Sequence, residues 1–150
     1  MHLDLKPDNI LLGSRDLYEE ESSTLILIDF GISKTYVNEV GSHIEMRDDE
    51  DFSGNIQFSS KFMFEYFTQS RRDDFISLSY LLAYFVNGKI TWLPKREQRD
   101  PNKDLHDQVA QIKKDMRPED LCVESAEGLK PFVEVVWALD FKEEPDYDKL

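Results

Sequence analysis

A chain of 150 residues, 40% hydrophobic and 12% aromatic, is long enough for one domain with a real core and too short to expect two. Its 31 Asp and Glu against 18 Lys and Arg give a formal charge of −13, the opposite balance to a duplex nucleic-acid or anionic-membrane binder. Cys122 is the sole cysteine, so there is no disulfide framework and no thiolate metal cluster, and a reducing compartment fits best.

No apolar run approaches the length of a membrane span, and the front carries no basic-then-apolar signal. The expectation is a soluble, monomeric intracellular protein, cytoplasmic or nuclear.

In chain order, "NILLG" and "TLILIDF" are short apolar runs separated by the acid-rich "SRDLYEEESS"; they predict two strands joined by a long turn. Periodicity fades from Gly31 to Ser60, and "RDDEDFSGN" is charged and turn-rich, which predicts a long irregular loop, of a length that is usually either functional or disordered. "DDFISLSYLLAYFVNG", Asp73 to Gly88, has an acid at its start, no proline inside and a glycine past its end, and so reads as a helix. It is apolar nearly all round, which predicts burial on several sides.

"NKDLHDQVAQIKKDM" and "EGLKPFVEVVWALDF" predict two amphipathic helices separated by "RPEDLCVES", and "EEPDYDKL" could open another. The layout is mainly α with a minor β element near the front. Trp92 and Trp137 read as core residues, and Cys122 as a small buried apolar one. His43 and His106 read as ordinary loop and helix-start residues. Ser22, Ser23 and Thr24, beside "YEEE", read as a plain acidic loop rather than as phosphate acceptors.

Chemistry concentrates in "HLDLKPDN", His2 to Asn9. Asp4 could orient a hydroxyl and take its proton. Lys6, two residues on, could set an ammonium beside a transferred phosphate. Asn9 offers the neutral oxygen that Mg²⁺ accepts, and Asp29, in "DFG" at the end of an apolar run, is a second hard oxygen ligand.

"HLDLKPDN" followed by "IDFGISK" resembles the catalytic loop and metal-binding element of eukaryotic protein kinases. "QSRRDD", the helix after it, "SSKFM" and the closing "PDYDKL" narrow the resemblance to the casein kinase I family of Ser/Thr kinases. The resemblance implies a kinase-like C-terminal lobe, Mg-ATP as phosphoryl donor and protein hydroxyls as acceptors. It implies Asp4 and Lys6 as catalytic residues, Lys6, Asn9 and Asp29 at the nucleotide, and Asn9 and Asp29 on the metal. Asp74 would hold the catalytic loop from below, with His2 packed beneath that loop. Arg71 and Arg72 would be structural charges, and Ser53 to Ser60 would receive the substrate backbone.

The sequence departs from the family where Leu3 replaces an Arg that pairs with a phosphorylated activation loop, where Gln57 replaces an anion-binding Arg, and between Pro94 and Lys103. With acids at Asp48, Asp49, Glu50 and Asp51, these changes predict neither phosphorylation control at that loop nor a preference for acidic substrates. No glycine-rich phosphate loop, V-A-I-K-type lysine or partner glutamate is present in the sequence, so the N-terminal lobe is expected to be absent from these residues and the isolated chain to be aggregation-prone. Three readings stay open: a kinase acting as part of a longer protein, an inactive partial lobe that binds a partner, and a fragment without function.

Overall fold

The computed structural model describes residues 1–14, 16, 18–19 and 23–150. Ser22, in the acid-rich connection, lies outside the described residues. The two apolar runs near the front form strands β1 (Ile10–Leu12) and β2 (Leu25–Leu27), paired antiparallel with Ile10 opposite Leu27 and Leu12 opposite Leu25. A long irregular stretch follows, interrupted by the isolated bridge between Val37 and His43. The α-helices among the described residues come next: α1 (Lys61–Phe64), α2 (Arg71–Asn87), α3 (Leu105–Asp115), α4 (Pro118–Leu121) and α5 (Lys130–Trp137).

Helix α2 is the organising element, and both of its ends follow from sequence. At its start the Asp73 carboxylate accepts the Ser70 N–H at 2.7 Å, half of a capping box. At its end Gly88 takes φ 65° and returns its N–H to the Tyr84 carbonyl at 2.8 Å. Ile76, Tyr80, Leu81 and Ala83 are buried from this helix. They join Phe58, Trp92, Leu121, Cys122, Ala126 and Val133 in one core.

Helix α5 and the 3-10 turn Glu124–Leu129 pack on α2. The expected burial all round α2 does not extend to its last turn, where Phe85 is 52% and Val86 47% exposed. In that turn Tyr84 packs against Phe58 and Asn87 donates to the Val123 carbonyl at 3.2 Å, while Phe85 and Val86 face away.

Three further expectations are corrected. The segment before α5 opens as a 3-10 turn, so the helix itself begins only at Lys130, with Pro131 in the first turn, where a missing N–H is harmless. The separator "RPEDLCVES" contains the short helix α4, started by Pro118 and by the Asp120 carboxylate on Arg117 N–H at 3.0 Å. Residues 145–150 hold a single turn at 147–149 rather than a helix, and Tyr147 packs against Phe75 at 5.9 Å between ring centroids.

No helix among the described residues is long and apolar enough to cross a membrane. On the hairpin side Leu11, Leu12, Leu25, Ile26, Leu27 and Phe30 are all exposed.

Gly54 has φ 115°, and a Cβ there would sit 2.8 Å from the Leu3 carbonyl oxygen. Gly41, at φ 81°, has open space around the same atom. Gly54→Ala should therefore destabilise the chain by about 1–3 kcal/mol, and Gly41→Ala by less, because only the first adds a backbone clash to the strain of a left-handed residue. Urea denaturation of the two variants beside the parent checks the order.

Candidate active site

The loop from His2 to Asn9 is held by hydrogen bonds at almost every residue. The Asp74 carboxylate, on the first turn of α2, accepts His2 N–H at 2.7 Å with one oxygen and Leu3 N–H at 2.8 Å with the other. Leu3 is buried at φ 70°, a conformation that a side chain with a Cβ adopts only under constraint, and the Asp74 pair supplies that constraint. The His2 ring lies beneath the loop, its Nε2 donating to the Ile28 carbonyl at 3.0 Å and its Nδ1 accepting Asp4 N–H at 3.3 Å. Both bonds together put the ring proton on Nε2. The ring also meets Phe30 edge-on at 5.0 Å, so the loop and the DFG turn are tied through one side chain.

Asp4, Lys6 and Asn9 come together directly. Lys6 Nζ lies 2.6 Å from Asp4 Oδ2. Asn9 donates its amide nitrogen to the Asp4 carbonyl at 2.8 Å and to Oδ2 at 3.1 Å. The amide oxygen of Asn9 is therefore the atom that a hard cation would take. Burial pushes the Asp4 carboxyl up, but hydrogen bonds from Lys6, Asn55 and Asn9, with the Lys6 charge, outweigh it and hold the group below its ordinary value. The Lys6 ammonium is raised in turn, chiefly by its hydrogen bond to Asp4, with the charges of Asp29 and Asp8 adding.

Asp29 stands apart from that trio. It follows β2 at φ 64° and accepts Gly31 N–H at 3.3 Å, and it is not hydrogen-bonded to Asp4, Lys6 or Asn9. Its connection to them runs through the backbone, where Ile28 N–H donates to the Asn9 carbonyl at 3.0 Å. Asn9 and Asp29 offer the oxygen donors that Mg²⁺ prefers, in the small number usual where phosphate and water complete the shell.

Two residues of the site were not singled out from the sequence. Asn55 donates to Asp4 Oδ1 at 3.0 Å and accepts Phe58 N–H at 2.6 Å, linking the acid to the segment from Ser53 to Ser60. Gly-Asn is an ordinary turn pair, so its composition gave no such signal. The other is Lys113 on α3, whose ammonium reaches the carbonyls of Gln57 and Ser59. The available clue was spacing: Lys113 lies four residues after Val109 on the same helix face.

The acids around residue 50 do not act as one negative field. Glu50 accepts Lys34 Nζ at 2.8 Å and Arg47 Nη2 at 2.7 Å, and Arg47 also pairs with Asp49 at 3.4 Å. The hydrogen bonds from Lys34 and Arg47 hold the Glu50 carboxyl below its usual range. The charge repulsion anticipated there is thus partly neutralised, and the segment after DFG is fastened to the irregular loop.

The chain belongs to the protein kinase family: the model of the protein kinase domain matches residues 1–148. A curated relative described as "Probable casein kinase I homolog", from Encephalitozoon cuniculi (strain GB-M1), is 28% identical over 151 aligned residues, which cover 100% of this chain and 47% of that protein. The chain thus spans about half the length of that relative.

Asp74→Ala should free two buried backbone N–H groups and lower stability by roughly 2–4 kcal/mol. Amide exchange at Leu3 and Asp4 should accelerate more than exchange in α5, as hydrogen-exchange mass spectrometry can read. The Glu50 clamp should respond to acid. Its folded pKa is depressed, so its contribution is complete above the ordinary glutamate value of about 4.3 and fades as pH falls through the lower folded value. Limited proteolysis with pepsin between residues 44 and 52 should rise across that window, and Glu50→Gln should make cleavage high and nearly independent of pH.

Proposed function

We propose that this chain is the C-terminal-lobe part of a Ser/Thr protein kinase domain that works within a longer protein, moving the terminal phosphoryl group of ATP to protein hydroxyls. The observation that carries this reading is the state of Asp4: a carboxylate held ionised, with Oδ1 fixed by Asn55 and Oδ2 shared by Lys6 and Asn9. Phosphoryl transfer asks the protein mainly for position and charge, and a fixed carboxylate beside a lysine meets that demand.

In this reading Asp4 orients the acceptor hydroxyl and takes its proton as the oxygen bonds to the γ-phosphorus and the bond from that phosphorus to the bridging oxygen breaks, releasing ADP. Lys6, already against Asp4, keeps its ammonium beside the transferred group. Asn9 and Asp29 would hold Mg²⁺, which when bound neutralises charge on the phosphate oxygens. Ser53 to Ser60 receives the backbone of the acceptor protein. The rest of the longer protein covers the nucleotide. The same reading makes the protein intracellular and monomeric, and makes the isolated chain aggregation-prone through the exposed hairpin face.

That exposed face, Leu11, Leu12, Leu25, Ile26, Leu27 and Phe30, also favours a second reading, in which the chain is inactive and docks on a partner. The two separate on one substitution. In the longest form of the protein, Asp29→Ala should abolish transfer of ³²P from ATP to casein, whereas a docking module should keep a stoichiometric complex whether or not Asp29 is present. Transfer retained by the variant would remove the kinase assignment of Asp29.

A further inference from the structure

Lys113 is 1% exposed. Its ammonium donates to the Gln57 carbonyl at 2.9 Å and to the Ser59 carbonyl, and lies 4.2 Å from the centre of the Tyr80 ring and 5.2 Å from that of Phe64. Among the described residues no carboxylate pairs with it, whereas the next residue, Lys114, reaches out to Glu65 at 3.3 Å. A buried cation without a counter-charge is an unfavourable way to stabilise a fold, since a packed apolar side chain would serve better. Burial pushes the Lys113 ammonium well down from its ordinary value, as expected for a charge that water no longer solvates.

What the ammonium does provide is direction. The Gln57 carbonyl also accepts Trp92 Nε1–H at 2.8 Å, so two buried donors from outside the loop meet on one backbone oxygen. At the other end of the same segment Asn55 ties to Asp4, and Gly54 lies against the Leu3 carbonyl. Residues 54–59 are consequently fixed at both ends: to the Asp4 loop on one side and to α3 on the other. The Gln57 residue is exposed although its carbonyl is held from within.

We infer that Lys113 is a positioning residue for protein-substrate binding, holding the Gln57–Ser59 backbone in the shape that receives the acceptor polypeptide. This inference rests on the proposed role of Ser53 to Ser60. Lys113 touches neither the acceptor nor the nucleotide site; it acts through the two carbonyls. Cation–π contact with Tyr80 and Phe64 offsets part of its desolvation.

Lys113→Met keeps an unbranched apolar stem while removing the donors. Amide exchange at Phe58, Ser59 and Ser60 should then accelerate roughly tenfold while exchange in α5 changes less than about twofold. In the longest form of the protein, KM for a peptide acceptor should rise roughly tenfold, with kcat and KM for ATP nearly unchanged. Trp92→Phe removes the second donor on the Gln57 carbonyl and should loosen Phe58 while leaving Ser60 protected, an independent reading if the Met variant folds poorly.

Unchanged exchange at 58–60, or an equal rise throughout the chain, would overturn the inference, as would a loss confined to kcat. If the parent protein transfers no phosphate at all, the kinase reading falls. The exchange pattern then still decides whether Lys113 holds the loop.

Discussion

The structure depends on one carboxylate that serves two backbone donors. Asp74 sits on the first turn of the most buried helix and accepts the N–H groups of His2 and Leu3, more than seventy residues earlier in the chain. Those two bonds fix Leu3 in a left-handed conformation, and the direction of Asp4 follows from it. An Asp at the start of a helix is ordinarily a cap, stabilised by the helix dipole. Here Asp73 takes the capping duty with Ser70, which leaves Asp74 for the loop. Adjacent acids thereby carry separate functions.

Buried charge recurs through this region, and Asp73 and Lys113 use it to fix backbone. Asp73 is 1% exposed and accepts from the Ser60 hydroxyl as well as from Ser70 N–H, joining the start of α1 to the start of α2. Burial pushes its carboxyl up, while Ser60 and Ser70 oppose that push. Arg72 lies over the Phe62 ring at 3.5 Å, and burial lowers its guanidinium. Lys113 completes the set. By contrast the exposed ion pairs, such as Lys89 with Glu124 at 2.9 Å, contribute little because water solvates both partners equally well. Rigidity of the candidate site thus arises from desolvated groups whose alternatives to their present partners are poor.

Much of this was legible in the residues themselves. The strands, the start and end of α2 and the Asp104 start of α3 follow from local chemistry: apolar runs, a serine–acid cap, a glycine at positive φ and an aspartate whose carboxylate accepts His106 N–H at 2.7 Å. Asp4, Lys6 and Asn9 meet because they share one short loop, so their spacing was already informative. Asn55 and Lys113 were not legible, since each acquires its partner across more than fifty residues, and nothing local distinguishes such a residue from an ordinary turn asparagine or helix lysine. The final turn of α2 went the other way. Its apolar sequence implied burial, but burial requires a neighbour, and none of the described elements covers Phe85 and Val86.

Sequence by itself determined the kinase class, the order of elements and the candidate site residues Asp4, Lys6, Asn9 and Asp29, because motif order, periodicity and capping are properties of neighbouring residues. Tertiary structure alone decided that Glu50 is partly neutralised by Lys34 and Arg47, that Asn55 ties to Asp4, and that Lys113 is buried against the Gln57 and Ser59 carbonyls. The physical reason is solvation. A charged residue has the same letter whether water or protein surrounds it, and only the packed chain specifies which atoms replace the water.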